Sequence, residues 1–114
     1  MKQMPVKRRN VKRHAAAMLR AFGPIERREW MRAQPSVVDG ATPCVSVHVK
    51  SGGKSRRADA RYTVPMTWAQ HQEMHNVGQA TYARKHGLDL LDLAAETELK
   101  YRSYLSRQMD GGTW

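Results

Sequence analysis

Apolar residues recur along the chain at two different periods, and the change from one to the other marks out its elements. Val11, Ala15, Met18, Leu19 and Phe22 fall on one face at helical spacing, which predicts a helix over Val11–Phe22 that ends at Gly23. Pro24 stands where a second helix would begin, with Ile25, Trp30 and Met31 as anchors and Pro35 beyond its end. Residues 35–43 read as a loop around the turn pair Asp39-Gly40. The period then becomes two. Over residues 44–50, Val45, Val47 and Val49 alternate with Cys44, Ser46 and His48, the pattern of a strand. Residues 51–60 form a glycine-rich basic loop, and residues 61–64 a second short strand stopped by Pro65.

Thr67 followed by Gln70 has the spacing of a capping box, so a helix is expected over residues 68–75. A further short helix over Gln79–His86 has Gly87 as its left-handed stop. Asp89 caps a long helix to about Arg107, with Leu90, Leu93, Ala94, Thr97, Tyr101, Tyr104 and Leu105 available for packing, and the last four residues fray. The fold class is therefore α+β: a small hairpin–helix unit flanked by N-terminal and C-terminal helices. With 114 residues the chain has room for one core, placed over residues 11–110, after a disordered basic arm at residues 1–10.

Charge changes this picture. The formal net charge is +10, and its excess is confined to one half. Residues 1–61 hold 15 Lys/Arg against 4 Asp/Glu, whereas residues 62–114 hold 5 against 6. The cations form three clusters: Lys7, Arg8, Arg9, Lys12 and Arg13; Arg27, Arg28 and Arg32; and Lys50, Lys54, Arg56, Arg57 and Arg61. Such density is the footprint of a polyanion ligand, because each neutralised phosphate releases counterions. Nucleic acid is the expected partner. A membrane is not, since the basic stretches lack amphipathic order and no apolar run approaches the roughly 18 residues of a spanning helix. The single cysteine, Cys44, rules out an intrachain disulfide, fits a reducing cytoplasm, and reads as a buried small residue. Trp30, Trp68 and Tyr82 read as core, and His14 and His86 as surface or capping residues.

The remaining histidines carry the candidate chemistry. His48 closes the first strand, while His71 and His75 lie four apart on the following helix and so share a face. A strand-borne histidine, a basic loop, a second strand and H-x-x-x-H together resemble the HNH, or ββα-metal, nucleases. The nearest likeness is to small phage and prophage proteins related to the recombination-enhancement, RecA-dependent nuclease. The matching text is His48, Gly52 and Gly53 through Asp59, Val64-Pro65-Met66, His71 and His75, Tyr82, and His86-Gly87-Leu88-Asp89. The likeness extends over residues 22–95, because the segment from Phe22 to Trp30 resembles that group's lead-in helix.

The resemblance implies a phage DNA-processing or recombination endonuclease in a bacterial cytoplasm. His48 takes the general-base position. His71 and His75 take metal-ligand positions, with Asp59 available to complete the sphere of one divalent ion, whether Mg²⁺, Mn²⁺, Ni²⁺ or Zn²⁺. The basic loop would hold flanking phosphates. Three departures accompany the match. Val47 stands where many relatives place a first metal ligand, and Tyr62 where they place the central bracing Asn. Four positions that commonly form a structural zinc site are here Ser36, Asp39, Thr67 and Gln70, of which Thr67 and Gln70 suit a capping box instead. Two other readings stay open: a non-catalytic DNA-binding protein on a degenerate HNH scaffold, and a structural zinc held by His48, His71 and His75. The oligomeric state is open too, a homodimer through the long C-terminal helix being one form.

Overall fold

Helix-stop and helix-start signals are obeyed almost residue by residue. In a computed structural model, which describes residues 11–50 and 58–111, α1 spans Val11–Phe22 and α2 spans Ile25–Ala33. Gly23 between them has φ +78°, and Pro24 stands in extended geometry just ahead of α2. Strand β1 covers Val45–His48 and pairs antiparallel with β2, Thr63–Met66. Three helices follow: α3 (Trp68–Val77), α4 (Gln79–His86) and α5 (Leu90–Gly111). The fold is thus mixed helix and sheet, as expected. None of the described helices is long and apolar enough to cross a membrane. The basic arm at residues 1–10 and most of the basic loop lie outside the described residues.

The second strand departs from the expectation. Residues 60–62 wind into a 3-10 turn, and β2 runs through Pro65 instead of stopping before it. The phase of the ladder explains the tolerance. Val49 N–H donates to Tyr62 O at 2.8 Å, so the hydrogen-bonded pairs continue at Val47–Val64 and Val45–Met66. Pro65, opposite Ser46, falls in the alternate phase, where no N–H is required. Its carbonyl accepts from Val37 N–H on the outer edge.

Every residue of β2 is buried, because the strand lies between β1 and α5. Val47, Val49, Val64, Met66, Met74, Tyr82, Leu90 and Ala94 form the core cluster. The capping box at the start of α3 is present: Thr67 Oγ1 accepts from Gln70 N–H, and Gln70 Oε1 accepts from Thr67 N–H at 2.9 Å. Gly87 closes α4 at φ +64°, ψ +40°.

Arg27 overturns the grouping of residues 27, 28 and 32 as one cationic surface. It is 3% exposed. Its Nη1 pairs with Glu98 Oε2 of α5 at 2.7 Å, its Nη2 donates to Ala60 O at 2.8 Å, and its guanidinium lies 4.7 Å from the Tyr101 ring centroid. It is a structural cation joining α2, the 3-10 turn and α5. Trp68 overturns the opposite expectation. At 61% exposed it is not core, whereas Tyr82 is fully buried and Trp30 half-buried against Tyr101.

Candidate functional site

Strand alternation decides which side chains of β1 are available. Val47 and Val49 point into the core, so Ser46 and His48 face the other way, toward α3. On α3, His71 and His75 share the face that meets them. With Phe22, Lys50, Met74, Gly78 and Gln79 these residues line one cleft of about 530 Å³. Helical spacing puts His71 and His75 on one face, and the fold brings the strand residue His48 to the same cleft.

The end of α1 holds His48 in place. His48 Nε2 lies 2.5 Å from the carbonyl of Ala21, and its ring packs on Phe22 with centroids 4.7 Å apart. Carbonyls of a helix's last turn lack intrahelical partners. Because a carbonyl can only accept, Nε2 must carry the proton. In the neutral ring the lone pair is therefore on Nδ1. Nothing in the sequence pointed to Ala21 or Phe22 as partners of His48; their role follows from where Gly23 ends the helix.

The helical pair is closer still. His71 Nε2 and His75 Nε2 are 2.8 Å apart, a contact that requires one of them to be deprotonated. Burial first, and then the charges of His75 and His48, push the His71 pKa below its ordinary value, which favours the neutral ring. A neutral ring at His71 and two Nε2 atoms converging on one point are features a metal requires of histidine ligands. The pair therefore fits as two ligands of a metal. Among the described residues no group of three or more His, Cys, Asp or Glu comes together as a metal cage. Neither a His48–His71–His75 cage nor an Asp59–His71–His75 set is formed.

Asp59 is engaged elsewhere. Its Oδ1 accepts from Arg61 N–H at 2.8 Å, and its Oδ2 pairs with Arg61 Nη2 at 3.0 Å, capping the 3-10 turn. Those bonds hold its carboxyl below the ordinary range. The same contact occupies the guanidinium of Arg61. Of the other expected phosphate contacts, Lys50 is exposed on the cleft rim, with Gln79 donating to its carbonyl and accepting from its N–H. Lys12 and Arg13 are exposed on α1. Lys7, Arg8, Arg9, Lys54, Arg56 and Arg57 lie outside the described residues.

Ser36, Asp39, Thr67 and Gln70 do meet. Ser36 Oγ donates to Gln70 Oε1 at 2.5 Å, the same oxygen that accepts from Thr67 N–H. The Ala41 N–H first, and then the Gln70 amide, hold the Asp39 carboxyl below its ordinary value. Two segments about thirty residues apart are thus joined by a polar cluster rather than by thiolates. Cys44 is 3% exposed, and burial and the Asp39 charge push its thiol pKa up, the opposite of what activates a thiolate.

Compared with known proteins, the chain matches no family model, no curated protein and no solved structure.

Proposed function

We propose that this chain is a small HNH-type (ββα-metal) endonuclease that binds DNA and hydrolyses its phosphodiester bonds. The observation that carries the reading is the cleft itself: one strand histidine held by a backbone carbonyl, opposite a converging pair of helical histidines. The meeting of Ser36, Asp39, Thr67 and Gln70 lends support, since the family likeness requires those four positions to be neighbours.

His48 is the general base. With Nε2–H held by Ala21, Nδ1 is the nitrogen that takes a proton from water. The water oxygen attacks phosphorus as the bond to the leaving oxygen breaks. His71 and His75 would hold a divalent cation, which supplies positive charge against the charge gathering on the phosphorane and the leaving oxygen. Lys50 on the rim and Lys12 and Arg13 on α1 hold flanking phosphates.

A second reading, a DNA-binding protein without catalysis, draws on the burial of Val47 at the first-ligand position and on the Asp59–Arg61 pair. Together these leave two histidines as the ligand set. Supercoiled plasmid separates the two. Metal-dependent nicking by the wild type that His48→Ala lacks, with DNA affinity within a few-fold, supports the nuclease. Retardation of the plasmid without nicking under Mg²⁺, Mn²⁺, Ni²⁺ or Zn²⁺ supports the binder.

A further inference from the structure

Beside the histidine cleft lies a second hollow, of about 350 Å³, lined by Phe22, Arg28, Arg32, Val45, Trp68 and His71 among others. It shares Phe22, Ser46 and His71 with the first, so the two are separated by a single wall of side chains. Trp68, the first residue of α3, is 61% exposed. Its ring contact is with His71, at 5.6 Å between centroids and nearly perpendicular, so His71 does not stack flat on the indole. No acidic residue lines the hollow, and among the described residues neither Arg28 nor Arg32 has an ion-pair partner. Arg28 Nη2 donates to Gly23 O at 3.5 Å and its guanidinium lies 5.9 Å from the Phe22 ring centroid, while its Nε is buried with no hydrogen-bond partner.

An open indole face, an apolar floor and two guanidiniums without a carboxylate partner among the described residues match the parts of a nucleotide: a flat ring and an anionic linkage. An apolar peptide would leave the two guanidiniums without an anion. We infer that this hollow is a subsite for one unpaired nucleotide of single-stranded DNA, its base stacked on Trp68 and its phosphate held by Arg28 and Arg32. In a duplex both faces of a base are already covered, so the subsite discriminates between strand states. It rests on the nucleic-acid part of the proposed function and adds the strand state of the substrate. The base would sit across His71 from the cleft that holds His48, placing an adjoining phosphodiester at the catalytic side.

The test is binding in chelator, independent of cleavage, by anisotropy of labelled oligothymidylate and of a duplex of equal length. Trp68→Ala is expected to weaken the single strand by about 5- to 150-fold, the worth of one base–aromatic stack, and the duplex by less than about 2-fold. Trp68→Phe should recover most of the loss, and wild-type indole fluorescence should be quenched by the single strand. Equal losses on both substrates, or no loss on either, overturn the subsite while leaving the nuclease reading standing. Absence of all wild-type binding overturns both. A Trp68-dependent preference for the single strand in a protein that never nicks would sustain the subsite and remove the nuclease. Because Trp68 is exposed, unchanged melting of both variants is the folding control.

Discussion

Replacing Arg27 with alanine should cost stability rather than DNA affinity. The side chain is 4% exposed and its partner Glu98 19%, so truncation leaves a largely buried carboxylate without its main counter-charge. Removing one partner of a buried pair costs about 3–5 kcal/mol. The lower end applies here, because Glu98 also lies 3.4 Å from Arg102 and retains some water contact. The charge-assisted bond to Ala60 O and the packing on Tyr101 fall within the same loss. About 3 kcal/mol is a large part of the ~5–15 kcal/mol of an ordinary domain. At roughly 3–5 °C per kcal/mol for a chain of this size, melting should fall by about 10–15 °C. Arg28→Ala on the same helix, half-buried and without an ion pair among the described residues, should shift it far less. Thermal melts of Arg27→Ala, Glu98→Ala and the double variant, by circular dichroism, complete the cycle. The double should be little worse than Arg27→Ala alone, because it also removes the stranded carboxylate. Additive losses, or a single-variant loss below about 1 kcal/mol, would refute the structural role and return Arg27 to the list of surface cations.

His48→Ala should abolish metal-dependent nicking of supercoiled plasmid while DNA affinity stays within a few-fold; a comparable loss of binding would remove His48 as the base. The lowered pKa of His71 gives a pH dependence with a definite sign. Below the ordinary value of 6.5 the unfolded chain takes up a proton there that the folded one resists, so stability is full above that pH and falls as pH drops through the lowered folded value. The melting temperature of the wild type should accordingly fall more steeply from pH 7.5 to 5 than that of His71→Gln; parallel curves would contradict the assignment. Gln70→Ala should destabilise by more than the ~1 kcal/mol typical of a lost helix cap, because Gln70 Oε1 serves both Thr67 and Ser36. Thr67→Ala, which breaks the cap alone, should cost about that typical amount, and equal melts for the two would mean that the Ser36 contact contributes nothing.

What the sequence made legible was local and periodic. Glycine stops, the capping box and the alternation through Val45, Val47 and Val49 place their elements within a residue or two. They also settle which face His48 and Ser46 present, because a strand has two faces and Val47 and Val49 are buried on one, although Val45 is exposed and lines the hollow beside Trp68. The misreadings share a different origin. Pro65 looks like a strand breaker until the hydrogen-bond phase of a partner strand is known, and that phase is set by Val49 and Tyr62 rather than by the residues around Pro65. Asp59 looks like a free ligand, yet an arginine two residues on takes it at 3.0 Å. That arginine reads in the sequence as a phosphate contact. Arg27 and Arg28 are adjacent and chemically identical, and no local pattern separates them. One is buried because Glu98, far along the chain, arrives with α5 to neutralise it, and the other lies by the hollow beside Trp68. Trp68 is the converse case: an aromatic at the start of a helix counts as core only if something packs on it, and here α1 and α2 arrive with Phe22, Arg28 and Arg32 rather than with an apolar lid. Counting charges along a chain therefore overstates the cations free to meet a phosphate, and counting aromatics overstates the core. Both errors are corrected by the same tertiary step, the arrival of distant helices on a strand pair whose own faces the sequence had already assigned.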